Sequence, residues 1–211
     1  MMMEKFMICV PCGDEVAAGF AQSLAVMAKP QDCGVSFVVG SLIYDARNKL
    51  ARQAIQLEAD YVLWLDSDMI FPDDTLIRLY EDLQKYKDVS AVSGLYFRRV
   101  KPYTPVLFKK VEIDPEASWE GFDDYPDEPF EAAAAGFGCV LMKTSMLIDV
   151  VKKYTTWFSP LSGFGEDLSF FWRANNCGHK LLIDPRLKLG HISKTSVTEE
   201  VYRAYLAQNK K

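Results

Sequence analysis

Short unbroken apolar runs alternate along this chain with longer stretches whose apolar residues recur at helical spacing. The first pattern reads as strands and the second as helices. Lys5 to Val10 opens the series as a strand, followed by a helix from Glu15 to Met27, a strand from Val35 to Val39, a helix from Tyr44 to Leu57 and a strand from Tyr61 to Leu65. Pro72-Asp73-Asp74 then begins a helix through Tyr86, because proline and acidic residues suit a first turn, and Val89 to Ser93 is a fourth strand. Past Arg98 the rhythm falters: Pro102 and Pro105 flank a short strand, and the acidic, proline-containing, aromatic stretch from Asp114 to Pro129 reads as a loop. Ala132 to Leu141 restores an apolar, glycine-broken run. Helices from Thr144 to Tyr154 and from Glu166 to Cys177 precede a last strand, Leu181 to Ile183. This alternation predicts an α/β layered domain.

One strand stands apart. Tyr61 to Leu65 is apolar at every position, the mark of a central strand buried on both faces, and it ends in Asp66-Ser67-Asp68. In open α/β sheets ligands bind at that carboxyl edge, and two carboxylates there, completed by phosphate oxygens, suit Mg2+ or Mn2+. Two further charges fall on the apolar side of their helices when each residue advances the wheel by about 100°. Arg47 projects between Ala51 and Ala54, and therefore needs an anion, either a protein carboxylate or a ligand phosphate. Asp167 projects between Phe171 and Ala174, while its neighbour Glu166 lies beside Phe170 and Arg173. Gly163-Phe164-Gly165 before them lets backbone or ligand approach closely.

Composition narrows the choice. At 211 residues, 49% hydrophobic, the chain can bury a full core as one domain. Its net charge of −5 and lack of a basic run make a nucleic-acid partner a weaker expectation than a small ligand. Five scattered cysteines argue against a disulfide framework, and Cys9-x-x-Cys12 has no second pair to complete a zinc site. No apolar stretch approaches the roughly 18 residues of a membrane span, and no signal peptide is evident, so a cytoplasmic location is expected. His179 follows a helix-ending turn and is expected at the surface.

The ordered set Arg47-Asn48, Asp66-Ser67-Asp68 with Pro72 after it, Gly136-Phe137-Gly138, Gly163-Phe164-Gly165-Glu166-Asp167 and Gly190-His191 resembles the small GT-A fold glycosyltransferases of the family-two type. That resemblance implies a Rossmann-like layered domain with a mostly parallel central sheet flanked by helices. It spans residues 1–211, with a nucleotide-sugar-binding half at 1–98 and an acceptor and catalytic half at 99–211, where 112–130 is a mobile loop over the site. It implies a divalent metal, Mn2+ or Mg2+, held by Asp66, Asp68 and His191, and transfer of a hexosyl group from a nucleotide diphosphate sugar to an acceptor hydroxyl. Asp167 is then the base of an inverting reaction and Glu166 its neighbour, while Pro11, Gly13, Gly40, Arg47, Asp66, Ser67, Asp68 and Gly138 contact the donor, and Trp119, Phe122, Tyr125, Trp157 and Phe158 are candidate sugar-stacking rings. Many members end strand two with an acidic residue that meets the nucleobase. Here Gly40-Ser41 stands instead, and uridine is a default. Two other readings stay open: a nucleotide-sugar-binding module without turnover, and a phosphatase with Asp66 as nucleophile.

Overall fold

The computed structural model describes residues 4–193, together with 199 and 203. A seven-stranded sheet forms its centre, built from β1 (Phe6–Cys12), β2 (Cys33–Val39), β3 (Tyr61–Leu65), β5 (Ala91–Leu95), β8 (Phe130–Ala132), β10 (Cys139–Lys143) and β11 (Leu181–Lys188). Their spatial order is β2-β1-β3-β10-β5-β11-β8. Five of the seven run the same way. β10 and β8 run against them, as their antiparallel pairings with β3, β5 and β11 show. Helices α1 (Ala18–Val26) and α3 (Thr75–Lys85) belong to one apolar layer of the sheet. α2 (Ile43–Gln56), α4 (Thr144–Tyr154) and α5 (Glu166–Asn175) belong to the other. All five residues of β3 are buried, as an apolar run covered on both faces should be.

Two departures from parallel winding build the site. β10 lies antiparallel beside β3, so its first residue meets the last of β3, Cys139 opposite Leu65, and Gly138 accepts the Asp66 amide at 3.2 Å. The glycine-rich run is thereby brought to the carboxyl end of β3. The second device is a two-stranded ladder of β4 (Met69–Ile70) and β12 (Gly190–His191), which sets His191 opposite Met69, while Ile192 donates to the Asp68 carbonyl at 2.8 Å. A residue far away in sequence is thus pinned beside Asp68.

Several element boundaries shift for traceable reasons. The helix expected from Glu15 begins at Ala18, because the Ala17 amide is drawn to the Ser67 carbonyl at 3.1 Å. Pro72 to Asp74 is a turn ahead of α3, closed by the Thr75 hydroxyl on the Pro72 carbonyl at 2.8 Å. β11 runs on past Ile183 through Pro185, where the ladder slips between Asp184 and Lys188, the kind of irregularity that tolerates proline. The stretch 112–130, read as loop, contains β7 (Ala117–Gly121), which with β6 (Leu107–Ile113) and β9 (Ala134–Ala135) makes a separate three-stranded sheet. His179 is not a surface residue: its side chain is 11% exposed and its Nδ1 lies 2.8 Å from the Ser90 hydroxyl. No helix among the described residues is long and apolar enough to cross a membrane.

Candidate active site

At the carboxyl ends of β1 and β3 lies a cavity of about 390 Å3. It gathers Pro11, Gly13, Arg47, Asp66, Ser67, Asp68, Glu166, Asp167 and His191 on one wall system, so most residues nominated from sequence meet in space. Gly40 and Gly138 do not line it. Gly40 turns the chain after β2 with φ +67°, a left-handed conformation natural to glycine, and its amide reaches the Cys12 carbonyl at 3.2 Å. Gly138 serves packing: a Cβ there would come 2.8 Å from the Tyr96 ring, and one on Gly136 would come 2.1 Å from the Tyr96 hydroxyl. The two glycines let the backbone wrap around Tyr96, whose hydroxyl accepts the Gly138 amide at 3.1 Å.

The innermost charge is Arg47, on the buried face of α2 with a side chain only 2% exposed. Of the two kinds of anion its position called for, the structure supplies protein carboxylates. Its Nη2 donates to Asp66 Oδ1 at 3.0 Å and lies 3.5 Å from Asp167 Oδ1, and its Nε lies 3.9 Å from Glu166 Oε1. The guanidinium rests 5.0 Å from the centroid of Phe137 and 5.9 Å from that of Phe158, so ring faces support it from below. Burial opposes its charge, but Asp66, Asp167 and Glu166 together outweigh that and hold it ionised. Its Nε and Nη1 are buried without a hydrogen-bond partner.

Asp167 sits in the first turn of α5 behind Gly163-Phe164-Gly165. Its Oδ1 is wholly buried and unbonded although the side chain as a whole is 30% exposed, so the carboxyl is partly embedded and partly open. Burial pushes it up to about 7, with the negative charges of Glu166 and Asp66 adding to the rise and Arg47 opposing it. Such a carboxyl exchanges a proton near neutral pH.

Asp68 occupies a different electrostatic setting. His191 Nε2 lies 3.5 Å from its Oδ2, and Arg99 forms an ion pair with the same oxygen. Burial pushes the Asp68 carboxyl upward, but the hydrogen bond from His191 and the charges of His191 and Arg99 win, holding it below its usual range. The same hydrogen bond raises the His191 imidazole. His191 Nδ1 lies 2.9 Å from the Phe97 carbonyl; donating to it leaves Nε2 facing Asp68.

Among the described residues no three His, Cys, Asp or Glu side chains are grouped as a metal cage. The expected set of Asp66, Asp68 and His191 is present as an Asp68–His191 pair, with Asp66 turned to Arg47. One ionised carboxylate and one imidazole oriented by a backbone carbonyl still form a donor set that fits a divalent cation whose other positions are water and phosphate.

Sequence reasoning missed Arg99, carried on a loop whose only signal is the Arg98-Arg99 pair after a strand. It missed Phe137 as a ring beneath Arg47 and Tyr96 as the ring that the glycine run wraps. It also offered Trp157 and Phe158 as sugar-stacking rings, but these are 5% and 0% exposed and belong to the core, where Trp157 Nε1 is bonded to the Leu147 carbonyl.

Comparison with known proteins bears on the family and the fold. The sequence model described as Glycosyl transferase family 2 matches residues 29–151. No curated protein sequence matches the chain. Among solved structures, the crystal structure of A197 from STIV is similar with a TM-score of 0.66 at 15% identity, over 91% of this chain and 87% of that one. The crystal structure of GalNAc-T7 with UDP, GalNAc and Mn2+ is similar with a TM-score of 0.63 at 11% identity, over 92% of this chain but only 45% of that longer one. At these identities the likeness is one of fold.

Proposed function

The chain belongs to glycosyl transferase family 2, with the GT-A fold, and on that premise we propose that it transfers a hexosyl group from a nucleoside diphosphate sugar, by default a UDP-sugar, to an acceptor hydroxyl with inversion. The observation that carries the reading is the convergence of Arg47, Asp66, Asp68, Glu166, Asp167 and His191 on one cavity at the carboxyl edge of the sheet. Family membership sets aside the phosphatase reading of Asp66. Residues 1–98 supply most donor contacts, with Pro11 and Gly13 near the base, Gly40 turning the chain outside the cavity, and Ser67 and Asp66 toward the ribose and sugar. Residues 99–211 supply the acceptor side, and Gly138 acts by shaping the wall. The five free thiols suit a cytoplasmic enzyme.

Held by Asp68 and His191, a divalent cation, Mn2+ or Mg2+, would offset charge building on the departing diphosphate. Arg99, already paired with Asp68, adds a second positive group at the same edge. The acceptor oxygen attacks the anomeric carbon, the bond from that carbon to the diphosphate oxygen breaks, and the acceptor proton passes to the Asp167 carboxylate. Arg47 holds Asp66, Glu166 and Asp167 together, and Glu166 raises the basicity of Asp167 by its charge.

Calorimetric titration of UDP in the presence and absence of Mn2+ tests the donor side. Asp68→Ala and His191→Ala should each weaken the metal-supported binding by about tenfold or more while leaving the metal-free value within about twofold. Equal losses under both conditions would assign both residues to the scaffold.

A further inference from the structure

Outside the catalytic cavity, the hairpin of β6 and β7 carries a second hollow of about 420 Å3, within the size range of small-ligand sites. Its floor is aromatic. Trp119 is 51% exposed and stands edge to face against Phe108, with ring centroids 5.5 Å apart and planes at 88°. Phe108 is buried, so one side of the indole is fixed by the core while the other remains open to solvent. A lone half-exposed tryptophan is ordinary; the groups around this one are not. Arg98 and Asp123 line the same hollow, and among the described residues neither side chain has an ion-pair or hydrogen-bond partner. Glu120 lines it too, 3.4 Å from Lys109. Arg98 and two carboxylates thus line the hollow beside an apolar ring face, and Lys109, outside the lining, pairs with Glu120, so the hollow is rich in donors and acceptors.

We propose that this hollow is a saccharide subsite that holds a neutral sugar ring of the acceptor. A pyranose offers one face of C–H bonds, which lies on an indole, and a rim of hydroxyls that both donate and accept. Vicinal hydroxyls match a guanidinium and a carboxylate, each of which makes paired hydrogen bonds. A phosphate would meet Glu120 and Asp123, and a purely apolar ligand would bury Arg98 unpaired.

The hollow is tied to the chemistry on two sides. Arg98 lines it, while the next residue, Arg99, reaches Asp68 in the catalytic cavity, so one short loop forms a wall of both. Ala117, two residues before Trp119 on the same strand, abuts Gly163, where an added Cβ would come within 2.7 Å of the Ala117 Cβ. Gly163 begins the run that leads into Glu166 and Asp167. A sugar on Trp119 is therefore held by a hairpin braced against both the donor edge and the helix bearing the base, which rests on the glycosyltransferase reading above.

The test uses the full chain without donor or metal on an array of neutral mono- to tetrasaccharides of the glucose, galactose, mannose and N-acetylhexosamine series, alongside unglycosylated peptides. Wild type should bind a subset of the saccharides. Trp119→Ala should weaken that binding by about tenfold or more, and Trp119→Phe should stay within about threefold of wild type. UDP titration with Mn2+ should be unchanged in both variants, since Trp119 lies outside the donor cavity. No saccharide bound by wild type, equal binding by Trp119→Ala, or capture of peptides alone would each overturn the subsite while intact UDP binding left the transferase reading standing. Saccharide binding through Trp119 in a protein that binds no nucleotide would overturn its role as an acceptor subsite.

Discussion

Two clusters of arginine and carboxylate, one in each apolar layer of the sheet, make opposite use of similar residues. On the α3 side, Asp184 is almost fully buried, and its Oδ1 accepts the Arg186 amide at 3.0 Å and the Arg186 Nε at 2.7 Å, while Oδ2 faces Arg78 at 3.6 Å. Burial pushes the Asp184 carboxyl upward, but those bonds and charges hold it below its usual range. On the α2 and α5 side, a single Arg47 confronts Asp66, Glu166 and Asp167, makes one hydrogen bond to them, and leaves two of its own nitrogens and Asp167 Oδ1 unbonded. Each buried polar group left without a partner costs about 1–3 kcal/mol. A cluster that only held the fold together would close on itself, as the one around Asp184 largely does. On the proposed function, the open valences and surplus negative charge around Arg47 are stability given up for chemistry.

The largest effect that tests this contrast comes from removing each arginine. Arg47→Met leaves three carboxylates facing one another in the interior and should lower unfolding free energy by about 3–5 kcal/mol. Arg186→Met removes a side chain that is 42% exposed and leaves Asp184 with Arg78, so about 1–3 kcal/mol is expected. Urea unfolding of both variants measures the difference. A loss for Arg186→Met equal to or greater than that for Arg47→Met would erase the distinction between the clusters.

Next in size is the response of Asp167. As the proposed base, it must be ionised, and with its value pushed up to about 7 the wild-type kcat/KM should climb as pH rises through 7 and level off above it. Asp167→Asn keeps the shape, removes the base and should lower transfer by roughly 10² or more while donor affinity stays within a few-fold. The same substitution should stabilise the protein at pH 8. A carboxyl raised in the folded state contributes stability that is complete below its unfolded value and is lost as pH rises through the folded one. Above 7, therefore, the native state carries an ionised Asp167 at a cost that asparagine does not have. Rate against pH and Tm at pH 8 are the two measurements; a slower enzyme with unchanged Tm would detach the base from the buried cluster.

Much of this site could be read from residue pattern because burial leaves a periodic trace. Tyr61 to Leu65 betrayed a central strand by having no polar position, and Arg47 and Asp167 betrayed themselves by lying on apolar helix faces. Contacts made by exposed or irregular backbone left no such trace. Arg99 reaches Asp68 from a loop, β7 rises within a stretch rich in acidic residues, and the turn of Asp66 toward Arg47 depends on side-chain geometry that no spacing encodes. The glycines at 136 and 138 were visible as a motif but not in purpose, since their partner Tyr96 lies on another strand's end. The boundary of α1 moved because a single amide found Ser67, a tertiary bond that overrides local preference.

The smallest effect sharpens the comparison most, because it asks whether a raised carboxyl is itself the mark of function. Asp82, on α3, is pushed up to about 6, first by burial and then by the negative charge of Asp184, and its Oδ2 is buried without a partner. It thus shares with Asp167 an upward shift and an orphaned oxygen, yet its charged partners are Asp184, Arg186 and Lys85, none of them proposed for catalysis. By the same linkage, its contribution to stability is complete below about 4 and is lost as pH rises through about 6. Asp82→Asn should therefore leave Tm unchanged at pH 4 and raise it at pH 8 by about 2–4 °C, the shift that about 1 kcal/mol produces in a domain of this length. Transfer rates should stay at wild-type level at both pH values. A fall in transfer without a change in fold would mean that the Asp184 cluster is coupled to the site, and that satisfied valences are no guide to which cluster does chemistry.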